Sequence, residues 1–369
     1  MKVLSVVGAR PQFIKAAPVS RALRQEPGLH EVLVHTGQHY DYGMSAIFFE
    51  ELHIPAPDYD LEVGSGSHGW QTGQMLIRVE EVLLTERPDW VLVYGDTNST
   101  LAGALAAVKL HIPLAHVEAG VRSFNRAMPE EHNRVLTDHA ADLLLCPTQT
   151  AVDQLAAEGV MRGVHLVGDV MYDAVLYNAA VAEHGSGALA RLGLTPGSYA
   201  LATVHRPHNT DDPAQLQAVL DTLQALAADY PVVFPVHPRT RHKLAELKIP
   251  HTPNLQLIEP VGYLDMLMLE RHAQLILTDS GGVQKEAYFF AVPCLTLRRE
   301  TEWPETVGTG WNRLVGDDLT AIVRLARDFR PTSSPPPVFG DGHAAERIAA
   351  LLVGAALTAG NGRPPDAED

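Results

Sequence analysis

The chain has 369 residues, enough for two domains or three small ones, and its 46% hydrophobic and 20% charged composition is globular, which excludes disordered and fibrous classes. Against 28 basic side chains stand 44 acidic ones, and the resulting charge of −16 argues against a broad footprint for nucleic acid or an anionic membrane. The two cysteines, Cys146 and Cys294, have no CxxC spacing of the kind that holds zinc or an iron–sulfur cluster.

Near the N-terminus the apolar run 3–7 is too short for a signal-peptide core or a membrane span, and no later run reaches membrane length. A soluble protein in a reduced, cytoplasmic setting is expected. From there the chain repeats one pattern, a short β-branched run followed by a longer stretch of helical periodicity. Strands are predicted at 3–7, 32–35, 91–94, 114–117, 143–146 and 165–167. In the second half they follow at 200–204, 232–236, 255–258, 275–278 and 294–297. Nearly continuous apolar strands suit parallel sheets covered by helices on both faces, so two doubly wound α/β domains are expected, over 1–175 and 190–343. A Pro- and Ser-rich break at 330–337 precedes a last helix, 344–358, expected to rejoin the first domain. The polar tail 360–369 reads as disordered.

Open α/β sheets bind ligands beyond the carboxyl ends of their strands, so the residues that follow each run carry the chemical argument. After the first strand, Gly8-Ala9-Arg10-Pro11-Gln12-Phe13-Ile14-Lys15 offers a tight turn, a helix start and two cations. It suits either a phosphate at a helix N-terminus or a plain turn with solvated charges. The third and fourth strands end in Gly95-Asp96-Thr97-Asn98-Ser99 and His116-Val117-Glu118-Ala119-Gly120. Two carboxylates there can divide acid and base roles, although Asp96 also suits a helix cap. In Met128-Pro129-Glu130-Glu131-His132-Asn133-Arg134, Glu130 either acts on a ligand or pairs with Arg134 one turn on.

The decoy Gly64-Ser65-Gly66-Ser67-His68-Gly69 matches a dinucleotide pattern, but no acid ends a strand about 20 residues later. In the second half, His205-Arg206-Pro207-His208 and His237-Pro238-Arg239 end strands, where His and Arg can neutralise a diphosphate and protonate a departing oxygen. No carboxylate stands between the first pair of histidines in a metal-ligand spacing, so no metal is assigned. Last comes Asp279-Ser280-Gly281-Gly282-Val283-Gln284-Lys285-Glu286, a strand end running into a glycine turn and a helix. Its amides suit a diphosphate and Glu286 the hydroxyls of a ribose, unless it is an ordinary glycine turn.

Taken in order, GARPQFIK, GDTNST, HVEAG, MPEEHNR, HRPH and DSGGVQKEA resemble the non-hydrolysing UDP-N-acetylglucosamine 2-epimerases along nearly the whole chain. The resemblance implies a GT-B-like α/β fold, two Rossmann-like parallel-sheet domains with a UDP-sugar in the cleft between them, and a homodimer that needs no cofactor. It implies substrate contacts from Arg10 and Lys15, proton chemistry from Asp96, Glu118 and Glu130, and support of the departing nucleotide by His205. It further implies a diphosphate site at Ser280, Gly281 and Gly282, with Glu286 on the ribose; His237 is carried as a substrate-binding residue. The chain departs from the family in His205-Arg206-Pro207-His208, which lacks a Glu, in Thr301-Glu302-Trp303-Pro304-Glu305, which has Trp for Arg, and in Gln38-His39-Tyr40-Asp41. Segments 36–44 and 63–75 are more similar to the subgroup acting on UDP-2,3-diacetamido-2,3-dideoxyglucuronate. A GT-B glycosyltransferase and a nucleotide-sugar sensor are the rival classes.

Overall fold

The central strand of the first sheet, β1 (Lys2–Val7), is buried along nearly its whole length and is paired in parallel on both sides, with Val6 opposite Val34 on one flank and Val93 on the other. The computed structural model describes residues 1–38, 54–244, 252–316 and 318–360. Outside them lie residues 39–41 of the expected Gln38-His39-Tyr40-Asp41 feature, most of segment 36–44, and all but the first residue of the tail.

Around β1 the sheet adds β2 (His30–His35), β3 (Tyr59–Asp60), β4 (Trp90–Tyr94), β5 (Leu114–Val117), β6 (Leu143–Cys146) and β7 (Val164–Leu166), in the order β3-β2-β1-β4-β5-β6-β7. All described pairings are parallel. Alternate residues Leu4, Val6, Val91 and Val93 pack against Met75, Val79 and Leu83 of helix His68–Glu86. Helix Arg10–Gln25 packs against the closing helix Ala344–Gly360.

That closing helix belongs with the N-terminal part. One unit comprises Met1–Ala174 and the chain from Pro337 onward, and the other is Val175–Pro336. The return is fastened where Asp169 N donates to Phe339 O (2.9 Å) and Ala345 N donates to Asp173 Oδ2 (2.7 Å). Burial pushes the Asp173 carboxyl up to about 6, against the backbone amides of Ala345 and Ala344 that favour its anion.

The second unit repeats the architecture with β8 (Ala200–Thr203), β9 (Val232–Pro235), β10 (Leu255–Ile258), β11 (Leu275–Thr278), β12 (Cys294–Thr296) and β13 (Asn312–Leu314), in the order β10-β9-β8-β11-β12-β13. Ala200, Ala202, Phe234 and Leu277 face Leu216, Leu220 and Ile322 on one side. Leu201, Val233 and Ile276 face Leu269 and Ala287 on the other. Both sheets are therefore helix-covered on two faces, as an all-parallel sheet requires. The fold is two doubly wound parallel-sheet α/β units of the GT-B-like class.

Candidate active site

Each sheet reverses its strand order at one place, between β1 and β4 in the first unit and between β8 and β11 in the second. Such a switch point opens a crevice beyond the strand ends. At the first, the sequence offers a turn and helix start at Gly8–Arg10. The amides of Gly8 and Ala9 are already filled, by Gln12 Oε1 at 2.8 and 3.1 Å, and the Gln12 amide donates on to Tyr94 O (3.0 Å) and Thr100 Oγ1 (3.1 Å). These two amides of the turn serve Gln12, and Arg10 at its rim is exposed.

Lys15 is buried one turn further along, 7% exposed, with Nζ 2.6 Å from Glu118 Oε1; Glu118 is itself only 8% exposed. Removing both from water is costly, and the short charge-assisted contact offsets it. Glu118 adopts the left-handed conformation, with φ +71°, which a residue bearing a Cβ holds only under local constraint. Gly95, at φ +63° on the neighbouring strand end, faces the same pair. A Cβ there would stand 3.1 Å from Lys15 Nζ and 3.7 Å from Glu118 Oε1, so a side chain at 95 would press into the ion pair.

Asp96 follows, partly exposed. The capping role that its position invites is taken by Thr97, whose hydroxyl accepts from Thr100 N. The Asp96 carboxylate is instead paired with Arg134, and its carbonyl accepts from Asn133 Nδ2 at 3.0 Å. Arg134 Nη1 also donates to Glu131 Oε2 at 2.9 Å. Glu131 is buried and accepts from Ser123 N, Ser123 Oγ and Phe124 N at 2.7–2.9 Å, so it builds the turn ahead of its helix, Pro129–Ala140. Glu130, beside it, is half-buried. The sequence offers Arg134 as a partner for Glu130; the structure pairs it with Asp96 and with Glu131, whose i, i+3 spacing is the helix-pair signal that points to it.

At the second switch point the organiser is Asp279, fully buried just after β11. It accepts from His205 N (3.1 Å), Arg206 N (3.0 Å) and Asn209 Nδ2 (3.0 Å), and His205 Nδ1 lies 3.2 Å from Oδ1. The His205 side chain is 45% exposed. The position of Asp279, an acid directly behind a strand end, is the signal in the sequence that points to its organising role.

Ser280 caps helix Gly281–Phe289, its hydroxyl accepting from Val283 N at 3.4 Å. Gly281 and Gly282, as the first two helical residues, have no carbonyl one turn earlier to donate to, so their amides and the helix dipole are available to an anion. Glu286 is buried, with Tyr263 OH donating to Oε1 at 3.1 Å. Trp303, the departure noted above, is buried under the Lys285 ammonium, which stands 3.8 Å from the ring centroid. His237 is exposed after β9. Among the described residues no group of three or more His, Cys, Asp or Glu could hold a metal ion, and no helix is long and apolar enough to cross a membrane.

Residues 21–353 match the family model described as UDP-N-acetylglucosamine 2-epimerase. Among similar proteins, a UDP-N-acetylglucosamine 2-epimerase homolog of Methanococcus maripaludis is 52% identical over 95% of this chain and 99% of its own length. The UDP-2,3-diacetamido-2,3-dideoxy-D-glucuronate 2-epimerase of Pseudomonas aeruginosa is 50% identical over the same shares. The crystal structure of Methanocaldococcus jannaschii UDP-GlcNAc 2-epimerase in complex with UDP-GlcNAc and UDP is 45% identical, with a TM-score of 0.88 over 96% of this chain and 99% of that one. The chain belongs to the UDP-N-acetylglucosamine 2-epimerase family.

Proposed function

We propose, on the premise of that membership, that the protein is an isomerase interconverting UDP-N-acetylglucosamine and UDP-N-acetylmannosamine. The observation that carries the reading is the pair of carboxylates on neighbouring strand ends, Glu118 fastened to Lys15 and Asp96 fastened to Arg134. A hydrogen on sugar C2 beside an acetamido group is not acidic, so direct inversion through a carbanion is hard. Expulsion of UDP from C1 as a carboxylate removes the C2 proton yields a glycal. UDP then adds back once a proton reaches C2 from the other face. Such a path needs an acid, a base and a diphosphate grip, and no cofactor.

In this scheme Asp96, Glu118 and Glu130 share the proton transfers, Lys15 orients Glu118, and Arg10 contacts the sugar nucleotide. The amides of Gly281 and Gly282 and the Ser280 turn hold the diphosphate, Glu286 the ribose, and His237 a further phosphate oxygen. With His205 Nδ1 engaged by Asp279, proton delivery to the departing oxygen falls to Nε2. The test is turnover in D₂O followed by NMR: deuterium at C2 of both epimers is expected, and epimerisation with retention of the original C2 hydrogen would overturn the scheme.

The same chemistry on UDP-2,3-diacetamido-2,3-dideoxyglucuronate is favoured by the 50% identity to the Pseudomonas enzyme, and parallel kcat/KM measurements on the two nucleotide sugars decide between them. A homodimer is supported by the apolar stripe Trp70, Ile77 and Leu84, spaced by seven on helix His68–Glu86 and 50–58% exposed, which suits a second copy of the chain. We place the enzyme in the cytoplasm, supplying sugar nucleotide for surface polysaccharide synthesis.

A further inference from the structure

His116 lies in β5, two residues before Glu118, and is fully buried, as is the side chain of Asp138. Its Nε2 stands 2.7 Å from the Gly95 carbonyl oxygen and its Nδ1 2.7 Å from Asp138 Oδ1. A carbonyl only accepts, so Nε2 carries a proton, and the contact on the other side is held by a proton between ring and carboxyl. The second oxygen of Asp138 accepts from Gly120 N at 3.1 Å and from Arg122 Nη1 at 2.6 Å. Arg122 is itself held by both oxygens of Glu158, at 2.8 Å each.

One carboxyl group on helix Pro129–Ala140 thus grips the chain on both sides of Glu118, through His116 and through Gly120. Through His116 it also grips Gly95, the residue before Asp96. All three backbone positions it spans are left-handed: Gly95 at φ +63°, Glu118 at +71° and Gly120 at +79°. Gly120 has no alternative side chain, because a Cβ would fall 2.3 Å from Ala151 O. Glycine adopts this region freely, but Glu118 persists in it only where its surroundings over-determine it, and functional sites are where such residues gather.

We propose that Asp138 and His116 are positioning residues of the reaction, a single buried brace that fixes the spacing between the carboxylates of Asp96 and Glu118. The inference rests on the roles proposed above for those two acids. It accounts for a fully buried His–Asp pair that touches no solvent and contributes to turnover through the residues it holds. Neither side chain need meet the substrate.

The test compares Asp138→Asn and His116→Gln with Asp96→Asn, using epimerisation kinetics, UDP affinity by calorimetry and thermal melting. Each brace variant is expected to melt cooperatively, to bind UDP as the unaltered protein does, and to lose about 100-fold in kcat with KM little changed, the cost of misplacing reacting groups by about an ångström. A merely structural ion pair would lower the melting temperature and leave kcat per UDP-binding molecule unchanged, and that result in either folded variant overturns the proposal. Wild-type turnover by Asp96→Asn would show instead that the reading of the carboxylates has failed. Whether or not the variants fold, the ¹⁵N spectrum of the unaltered protein is expected to give a slowly exchanging His116 Nε2–H; an unprotonated Nε2 overturns the brace.

Discussion

Lys15 and Glu118 are buried as one ion pair, so a change at either one alters the surroundings of the other. Asp96→Asn and Glu118→Gln are each expected to lower kcat by about 1,000-fold while UDP affinity holds, because the diphosphate grip belongs to other residues. Lys15→Met is expected to lower kcat by about 100-fold, and the double variant Lys15→Met/Glu118→Gln to be no slower than Glu118→Gln alone, since groups acting as a unit are not additive. Additive losses in steady-state kinetics would separate them. Asp279→Asn is a second expectation at this scale. It keeps the volume yet sets an amide nitrogen among the donors that Asp279 accepts from, loosening His205 Nδ1 from Oδ1, and a fall in kcat of about 100-fold without change in UDP affinity is expected. The reactive side chains were legible because each follows a strand end. Their supports, Gln12, Arg134, Glu131 and Asp279, were not, since a buried polar residue reads in sequence like any solvated one until its partners across the fold are known.

The central strands were legible as elements for a related reason. Burial on both faces demands unbroken apolar runs, and the predicted 114–117, 143–146 and 275–278 are matched residue for residue. The edge strands β3 and β13 were missed: with two and three residues, charged or polar at several positions, they carry neither length nor alternation. At the Asp173 contact an element depends on pH. Burial lifts the folded carboxyl to about 6, above the ordinary carboxylate range, so the folded state holds a proton that the unfolded state releases first. The stability this gives is fully present below about pH 4 and is lost as pH rises through about 6, amounting to about 3 kcal/mol. Asp173→Asn is expected to flatten this slope, with denaturant melts at pH 5 and pH 7.5 differing less than in the unaltered protein. An unchanged difference would assign the slope to other groups.

For the molecule as a whole, the repeated strand-and-helix pattern made two α/β units legible, and six separate motifs in order made the family legible. The exposed stripe on helix His68–Glu86 was not, because apolar residues recurring every seventh position read as core until the fold leaves them on the surface. Ile77→Asp is expected to leave each unit folded and to convert dimers to monomers in sedimentation velocity; an unchanged sedimentation coefficient would remove this face from the contact.

The closing helix Ala344–Gly360 packs against helix Arg10–Gln25, although more than 300 residues of chain separate them. During translation the second unit is therefore finished while the first still waits for its final piece, exposing the apolar flank of its opening helix to the ribosome's surroundings. Released chains that end at residue 336 are expected to carry a protease-resistant Val175–Pro336 core behind a cleavable front part. The earliest residues to leave the tunnel are thus among the last to settle.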